Sequence, residues 1–224
     1  MAAPRRINMP LTVPMMKASL LLILFFLKVV IIIKTDIFYV RSVYFNNFWN
    51  FIFNNFDENN SFHDVVKEAG VQGFTEPDPK IDLSGVDVAR KILILIRESG
   101  YQFDIEDIAN RSFLPAECLT TTNNEDFFKS LLSNAGHFEN LLKEAQAKDC
   151  RLKYVATFEN GKASVGLEFI PKESPFYNLE GKDNIVQFYT DRYIDQPLLI
   201  KGAGAGAAVT ASGIFADVIR IGNI

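Results

Sequence analysis

The Asn160-Gly161 pair constrains the fold of this chain more strongly than any other short motif in it. Two strand-like runs flank the pair, RLKYVATF at 151–158 and KASVGLEFI at 162–170. Asn-Gly between alternating apolar runs is the strongest short-range signal of a β-hairpin. We therefore predict that the chain turns here from one antiparallel strand into the next.

The elements on either side of the hairpin differ in type, and this difference predicts the fold class. Two further strand-like runs follow the hairpin, at 184–190 and 197–201, whereas helical patterns fill the region before it. Helices first and strands later favour an α+β domain over a βαβ repeat. We expect a mostly antiparallel or mixed sheet, with a helix at the C-terminal end of the chain.

The helices before the hairpin are bounded by capping residues and glycines. The expected helices are a short one from Ser61 to Gly70, one of about fifteen residues capped by Ser84 and ending at Gly100, and a third at 124–147 that is interrupted at 134–136. Residues 71–83 are expected to be non-helical, because Pro77 and Pro79 lack backbone donors and hold the preceding residues extended.

Composition and charge exclude several classes of function. The formal net charge is -4, and the acidic excess lies after residue 50, whereas nucleic-acid binding needs a basic face. The only cysteines are Cys118 and Cys150, and the only histidines are His63 and His137. With so few cysteines and histidines, we predict neither a zinc site, nor a disulfide framework, nor a Ser-His-Asp triad. Both cysteines are interpreted as small buried side chains.

Residues 18–33, ASLLLILFFLKVVIII, have two interpretations. They resemble a membrane anchor or a signal-peptide core, but Lys28 interrupts the apolar run well before the roughly twenty residues that span a bilayer. The other interpretation is a start that is foreign to the domain behind it, produced by a frameshift or a misassigned initiation site. We favour the second, and expect no membrane attachment.

The stretch GFTEPDPKIDLSGVDVARK, residues 73–91, contains the candidate chemistry. Asp87 and Lys91 are four residues apart on one helix face, which in most proteins is only a surface ion pair. The prolines stiffen the preceding loop and bring Glu76 and Asp82 toward that face. Three carboxylates around one lysine suit a cationic, hydroxyl-bearing ligand, with the acids at its ammonium and the lysine at its oxygen.

The C-terminal sequence KGAGAGAAVTASGIFADVIRI satisfies the glycine pattern of a dinucleotide-binding turn. Only eighteen residues follow Gly206, too few for the second strand and ribose-binding acid of a Rossmann unit. We therefore expect no complete Rossmann domain. These glycines can still let the backbone come close to a ligand.

Two motifs resemble the homoserine dehydrogenase family. The first is AGVQGFTEPDPKIDLSGVDVARK, and the second is the C-terminal glycine segment; NIVQFYTDRYIDQPLLIKG is most similar to the bifunctional aspartokinase–homoserine dehydrogenases. The residues at the signature spacing are Ala69, Gly73, Pro79, Asp82, Gly85, Asp87 and Lys91.

The resemblance implies NADP- or NAD-dependent interconversion of aspartate semialdehyde and homoserine in the cytoplasm, by a homodimer that associates through its sheet. It implies that Lys91 is the catalytic lysine and that Glu76, Asp82 and Asp87 bind substrate. By the same resemblance, the backbone at Gly73, Gly204 and Gly206 lies at the cofactor. Asp78 and Lys80 match no functional position and are expected to be solvated.

The departures from the family pattern define the expected domain boundary. The family's N-terminal Rossmann domain is not matched, and Asn47-Phe48 stand where family members have Gly-Thr. We therefore divide the chain into a non-matching segment, 1–49, and a catalytic domain, 50–224. We expect a truncated enzyme whose own activity is weak or absent. The alternative is a non-catalytic, membrane-attached module that binds amino acids or regulates another protein.

Overall fold

The computed structural model describes residues 38–44, 47–75, 77–181, 183–203 and 207–222. Within these ranges the chain forms an α+β structure, as predicted. The helices are α1 Asn47–Asn55, α2 Phe62–Val71, α3 Pro79–Leu83, α4 Val86–Glu98, α5 Ala116–Leu119, α6 Asn124–Ser133, α7 Ala135–Ala147 and α8 Ala207–Gly222. The strands are β1 Phe38–Tyr44, β2 Ile108–Arg111, β3 Cys150–Glu159, β4 Lys162–Pro171, β5 Asp183–Thr190 and β6 Tyr193–Ala203.

The strands of the described residues form one mixed sheet in the order β2-β4-β3-β1-β5-β6. The β2–β4 pair is parallel, and the other four pairs are antiparallel. The predicted hairpin is confirmed, since Glu159 pairs with Lys162 across the turn. Asn160 and Gly161 have φ angles of 52° and 71°, the conformation that a two-residue turn of the primed type requires.

The core lies between the sheet and the helices α1, α4 and α7, which all contact β3. Its centre is aromatic: the ring of Trp49 on α1 stacks on the ring of Tyr154 on β3, with centroids 4.2 Å apart. Both residues are buried, and the ring of Phe53 also stacks on the indole, with centroids 5.6 Å apart. Stacked aromatic pairs add to the stabilisation that comes from burial alone.

Helix α1 and strand β1 were not anticipated from the sequence. The stretch YFNNFWNFIFNNF has no clear period, yet Asn47–Asn55 is a helix with Phe48, Trp49 and Ile52 buried. Strand β1 lies between β3 and β5, within the segment that was separated from the domain at residue 50. The apolar segment 18–33 lies outside the described residues. Among the residues that are described, no helical stretch combines bilayer-spanning length with sufficient apolarity.

The end of α2 differs from the prediction. Ser61 caps its N-terminus as expected, accepting a hydrogen bond from the Asp64 amide. Gly70, however, lies inside the helix, and Gly73 is the closing glycine, with a φ of 74°. The Phe74 amide bonds back to the Ala69 carbonyl at 2.9 Å, as in a Schellman motif. The predicted end of α4 at Gly100 is confirmed by the same bonding pattern.

The prediction that residues 71–83 are non-helical was wrong, because Pro79–Leu83 forms the short helix α3. Pro79 is its first residue, a position where the missing amide proton has no helical partner in any case. Asp78 is the N-cap and accepts the Lys80 amide. Ser84 ends α3 and does not cap α4, since the N-cap of α4 is Gly85. The interruption predicted within 124–147 is confirmed at the junction of α6 and α7.

A buried lysine connects α1 to the sheet. Lys153 on β3 is fully buried, and its Nζ donates to the side-chain oxygen of Asn54 at 2.7 Å and to the carbonyl of Leu179 at 3.1 Å. Asn50, one turn before Asn54, donates to the carbonyl of Asp183 at 2.9 Å. Burial, reinforced by the nearby Arg151 charge, lowers the pKa of Lys153 to about 8.

The lowered pKa of Lys153 predicts that the free energy of unfolding rises with pH. Between about pH 8 and 10.5 the folded chain has lost this proton while the unfolded chain retains it, so the rise amounts to at most about 3 kcal/mol. We expect urea unfolding from pH 7.5 to 9.5 to show this rise in the wild type and not in Lys153→Met. Lys143→Met, which changes an exposed lysine, should keep the wild-type slope. Equal slopes in Lys153→Met and the wild type would contradict the assignment.

Candidate active site

The predicted lysine and aspartate form an ion pair at the start of α4. The Nζ of Lys91 lies 2.7 Å from Oδ2 of Asp87, and the lysine side chain is only 18% exposed. Asp87 is in the first turn of the helix, where a negative charge is favoured by the helix dipole. Lys91 lies one turn later, as predicted. This pair is more sheltered than an ordinary surface ion pair.

The apolar face of α4 holds the pair in position. Val88, Ile92, Leu95 and Ile96 are buried, and this spacing produces one continuous apolar stripe along a helix. Asp87 and Lys91 lie off this stripe and remain partly accessible. The helix therefore packs against the sheet and presents both charged groups at its accessible side.

The segment before α4 is fixed by contacts with the region around α6. The side chain of Asn124 donates to the carbonyl of Pro77 at 2.7 Å. Lys80 donates to the carbonyl of Thr121 at 3.1 Å and is 18% exposed, so the expectation that it is solvated was wrong. Its aliphatic stem is covered because its ammonium reaches a backbone acceptor across the segment. Asp78 is more exposed and serves as the α3 cap.

The other predicted acid that the structure describes, Asp82, lies on α3. Its Oδ2 accepts a hydrogen bond from the hydroxyl of Thr75 at 2.7 Å. Its backbone carbonyl accepts the amide of Gly85, the residue that starts α4. Asp82 is therefore held from both its side chain and its backbone, close in the chain to the Asp87–Lys91 pair.

A tight turn at Ser84-Gly85 joins α3 to α4. Gly85 has a φ of 74°, a conformation that side chains other than glycine rarely adopt. A Cβ at this position would lie 2.0 Å from the hydroxyl oxygen of Tyr154. Both the backbone conformation and the neighbouring phenol thus require glycine here.

The Tyr154 hydroxyl is linked to the same turn through Asn110 on β2. It donates to Oδ1 of Asn110 at 3.1 Å, and Nδ2 of Asn110 donates to the carbonyl of Ser84 at 2.7 Å. Burial raises the pKa of Tyr154 to about 12, so the hydroxyl keeps its proton and acts as the donor. These three groups form a short hydrogen-bonded chain that ends at the first residue of the turn.

Comparison with known proteins defines the family. The family model for homoserine dehydrogenase matches residues 35–219. The chain belongs to the homoserine dehydrogenase family. The match begins before the boundary expected at residue 50 and includes β1. The division into 1–49 and 50–224 stays a prediction.

Relatives of the chain include bifunctional aspartokinase/homoserine dehydrogenases and a protein named homoserine dehydrogenase alone. It is 45% identical over 176 residues to the bifunctional aspartokinase/homoserine dehydrogenase 2 of Arabidopsis thaliana, covering 78% of this chain and 19% of that protein. It is 37% identical over 203 residues to the homoserine dehydrogenase of Schizosaccharomyces pombe, covering 87% of this chain and 54% of that protein. The chain thus spans about a fifth of the first relative and about half of the second.

The fold agrees with that of a solved homoserine dehydrogenase. The crystal structure of the enzyme from Thiobacillus denitrificans superposes with a TM-score of 0.63 at 26% identity, covering 85% of this chain and 41% of that one. The α+β assignment is thereby supported independently of the sequence motifs.

Three of the seven predicted site residues lie close together in the chain around the start of α4, namely Asp82, Asp87 and Lys91. Glu76, Gly204 and Gly206 lie outside the described residues. Gly73 is described, and its positive φ closes α2. A Cβ at Gly73 would contact nothing within 4 Å, so its backbone is open to an approaching ligand. The functional roles of all seven residues stay predictions.

Sequence reasoning missed the residues that hold α3 and the turn before α4. Thr75, Asn110 and Tyr154 carry no motif spacing relative to Lys91, and β2 is too short to give a strand pattern. Only Gly85 carried a usable signal, since a glycine immediately before a helix indicates either a positive φ or a close neighbour. The identity of that neighbour depends on tertiary structure.

No cavity, cysteine or metal-ligand cluster among the described residues is a stronger candidate site. Two cavities of about 600 and 490 Å³ lie beside α7, and neither is lined by a predicted site residue. Cys118 is buried, as expected, and burial raises the pKa of its thiol, whereas Cys150 is half-buried. No cluster of three or more His, Cys, Asp or Glu suited to a metal ion occurs among the described residues.

The close contact at Gly85 predicts a large loss of stability in Gly85→Ala. The alanine would combine an unfavourable positive φ with overlap against Tyr154, together about 2 to 5 kcal/mol. Gly136→Ala is the matched control, because a Cβ on this α7 glycine meets no atom within 4 Å. The control should be neutral or up to about 1 kcal/mol more stable. Urea unfolding measures both variants, and equal stabilities for them would refute the contact.

Proposed function

We propose that this chain binds L-homoserine and L-aspartate 4-semialdehyde and carries the proton-transfer lysine for their interconversion. The observation that carries the proposal is the sheltered Asp87–Lys91 pair, 2.7 Å apart, inside the region that the family model matches. The sequence resemblance to the family signature supports the same two residues. An exposed pair at the same helical spacing would not suggest a site. Here the lysine is mostly covered, and long-range hydrogen bonds hold the segment that precedes its helix.

The chemistry assigned to Lys91 follows from its ammonium group. In the reducing direction, the aldehyde oxygen gains negative charge as the carbon receives a hydride. A lysine ammonium beside this oxygen stabilises that charge and supplies the proton that completes the hydroxyl. In the oxidising direction, the neutral amine of the same side chain accepts the hydroxyl proton. Asp87 keeps the ammonium oriented by holding one of its three N–H donors.

The neighbouring acids suit the other end of the substrate. Homoserine and aspartate semialdehyde both carry an α-ammonium, which carboxylates bind through charge-assisted hydrogen bonds. Asp82 and Asp87 are the described candidates, and Glu76 is the third candidate on sequence grounds. Oxygen recognition by Lys91 and ammonium recognition by these acids together fix the orientation of a small amino acid.

A bound nicotinamide cofactor would supply the hydride in its reduced form, NADPH or NADH, and would accept it in its oxidised form in the reverse direction. The open backbone at Gly73 fits a residue that lies against such a ligand. The sequence-based roles of Gly204 and Gly206 belong to the same proposal. The expectation that the 224-residue chain by itself has weak or no turnover also stays a prediction.

A lysine substitution with a matched control tests the proposal. We expect Lys91→Ala to weaken L-homoserine binding roughly ten- to hundredfold, through loss of a charged hydrogen bond. Any NADPH-dependent reduction of aspartate semialdehyde should fall about a hundredfold or more. Lys129→Ala removes another i, i+4 ion pair, to Glu125 at 2.6 Å, from an exposed helix face. Calorimetric titration and an NADPH absorbance assay give the two readouts.

The outcomes separate a site from a surface ion pair. The control should keep wild-type binding, and both variants should lose less than about 1 kcal/mol of stability, since neither lysine is fully buried. Lys91→Ala binding homoserine as tightly as Lys129→Ala would reduce the Asp87–Lys91 pair to a helix-stabilising contact. A wild-type chain that does not bind homoserine would refute the substrate assignment.

We also propose that the chain forms a homodimer through its sheet. Ile194 and Leu199 on the edge strand β6 are exposed, at 68% and 44%. Exposed apolar side chains on an edge strand favour association with another strand or sheet. Leu199→Lys should therefore shift the chain from dimer toward monomer in sedimentation-velocity measurements. Leu132→Lys, on an exposed position of α6, should leave the distribution unchanged. A monomeric wild type would rule out the dimer.

A further inference from the structure

Asn110 makes an unusual pair of hydrogen bonds for an exposed side chain. It lies on the short strand β2 and is solvent-exposed, yet both ends of its amide have partners that are distant in sequence. Its oxygen accepts the Tyr154 hydroxyl, and its nitrogen donates to the Ser84 carbonyl. The two partners fix the orientation of the amide. The protonated Tyr154 hydroxyl donates to the amide oxygen, and the Ser84 carbonyl, which can only accept, faces the amide nitrogen.

The bond to Ser84 reaches the turn that starts α4. Ser84 and Gly85 are the only residues between α3 and α4, so the position of this carbonyl sets how α4 leaves the turn. Asp87 is the second residue of α4, and Lys91 lies one turn further on. A displacement of the turn is therefore passed directly to the carboxylate and, through the helix, to the ammonium.

Tyr154, the other partner of Asn110, is held in place by the core. Tyr154 is buried, its ring is stacked on Trp49, and its hydroxyl oxygen lies against the Cα of Gly85. The phenol thus presses on one residue of the turn, while Asn110 holds the carbonyl of the residue before it. The contact at Gly85 and the hydrogen bond at Ser84 together determine the position of the turn more tightly than either does alone.

We propose that Asn110 is a positioning residue for the Asp87–Lys91 pair, acting by joining the Tyr154 hydroxyl to the Ser84 carbonyl. This inference rests on the proposed function of the pair and extends it to a residue on another element, the strand β2. Misplacement of a reacting group by about 1 Å can reduce a rate a hundredfold. A surface asparagine can therefore matter for substrate recognition as well as for stability.

The test uses the full 224-residue chain and four variants. Asn110→Ala removes both bonds, Tyr154→Phe removes only the first, and the double variant combines them. Arg111→Ala is the matched control, because Arg111 follows Asn110 on β2, is also exposed, and bonds instead to Ser164 and Glu168. L-Homoserine titrations give the dissociation constants, and ¹⁵N-edited NMR gives the resonances of the Asp87 amide and the Lys91 ammonium.

Asn110→Ala should lower the thermal midpoint by a few degrees, because the buried Tyr154 hydroxyl loses its partner. We expect it also to weaken L-homoserine binding at least tenfold and to shift both resonances. Tyr154→Phe should act in the same direction. The double variant should bind L-homoserine no more weakly than Asn110→Ala, since both changes interrupt the same chain of hydrogen bonds. Arg111→Ala should match the wild type in both measurements.

Failure of this inference can be distinguished from failure of the proposed function. If the wild type does not bind L-homoserine, the substrate assignment is wrong, and the two resonances alone decide whether Asn110 positions the pair. Unshifted resonances in Asn110→Ala overturn the positioning role whatever the binding result. Wild-type homoserine affinity in Asn110→Ala, or additive losses in the double variant, overturn it as well.

Discussion

Tyr154 contacts helix α1, the start of helix α4 and strand β2, and the candidate site depends on these three contacts. One ring face stacks on Trp49 of α1, and the hydroxyl oxygen lies against Gly85 at the start of α4. A buried phenol needs a hydrogen-bond partner, because leaving it without one is costly. Asn110 on β2 provides that partner. The helix carrying the charged pair is thus positioned by the same side chain that anchors the core.

Lys153, the residue before Tyr154 on β3, organises a second set of contacts. Lys153 and Tyr154 are consecutive on β3, and both side chains are buried. Lys153 binds the side chain of Asn54, whereas Tyr154 stacks on Trp49, so both reach helix α1. This explains how a helix without regular apolar spacing is fixed: its neighbours on β3 supply one polar and one aromatic contact. The carbonyl of Leu179 completes the set.

The sequence predicted those features that depend on local chemistry. The Asn160-Gly161 turn, the Ser61 cap and the spacing of Asp87 and Lys91 all follow from residues that are close together in the chain. Pro79 was misread because proline excludes a helix interior but is well suited to a first helical position. The closing glycine of α2 was misplaced for a similar reason, since two glycines lie near its end and only hydrogen bonding distinguishes them.

The unpredicted features all depend on pairing between distant segments. Helix α1 is stabilised by tertiary packing, which overrides its weak periodicity. The strand β2 has four residues and pairs in parallel with a strand that follows it by more than fifty residues. Asn110 could be recognised only once that pairing brought it to Ser84 and Tyr154. Family resemblance identified the acids and the lysine, but not the residues that hold them.

The position of β1 in the sheet has a consequence for synthesis and folding. This strand is made before any of the other described strands, yet it lies between β3 and β5, and its partners are more than 100 residues further along the chain. Such distant pairing slows folding, because a long loop must close before the contacts can form. Until β3 and β5 leave the ribosome, both edges of β1 are available to other strands, and strands on neighbouring nascent chains are the competing partners. A chain of this topology therefore depends on how quickly its C-terminal half is translated, a requirement that a sheet built in sequence order would not impose.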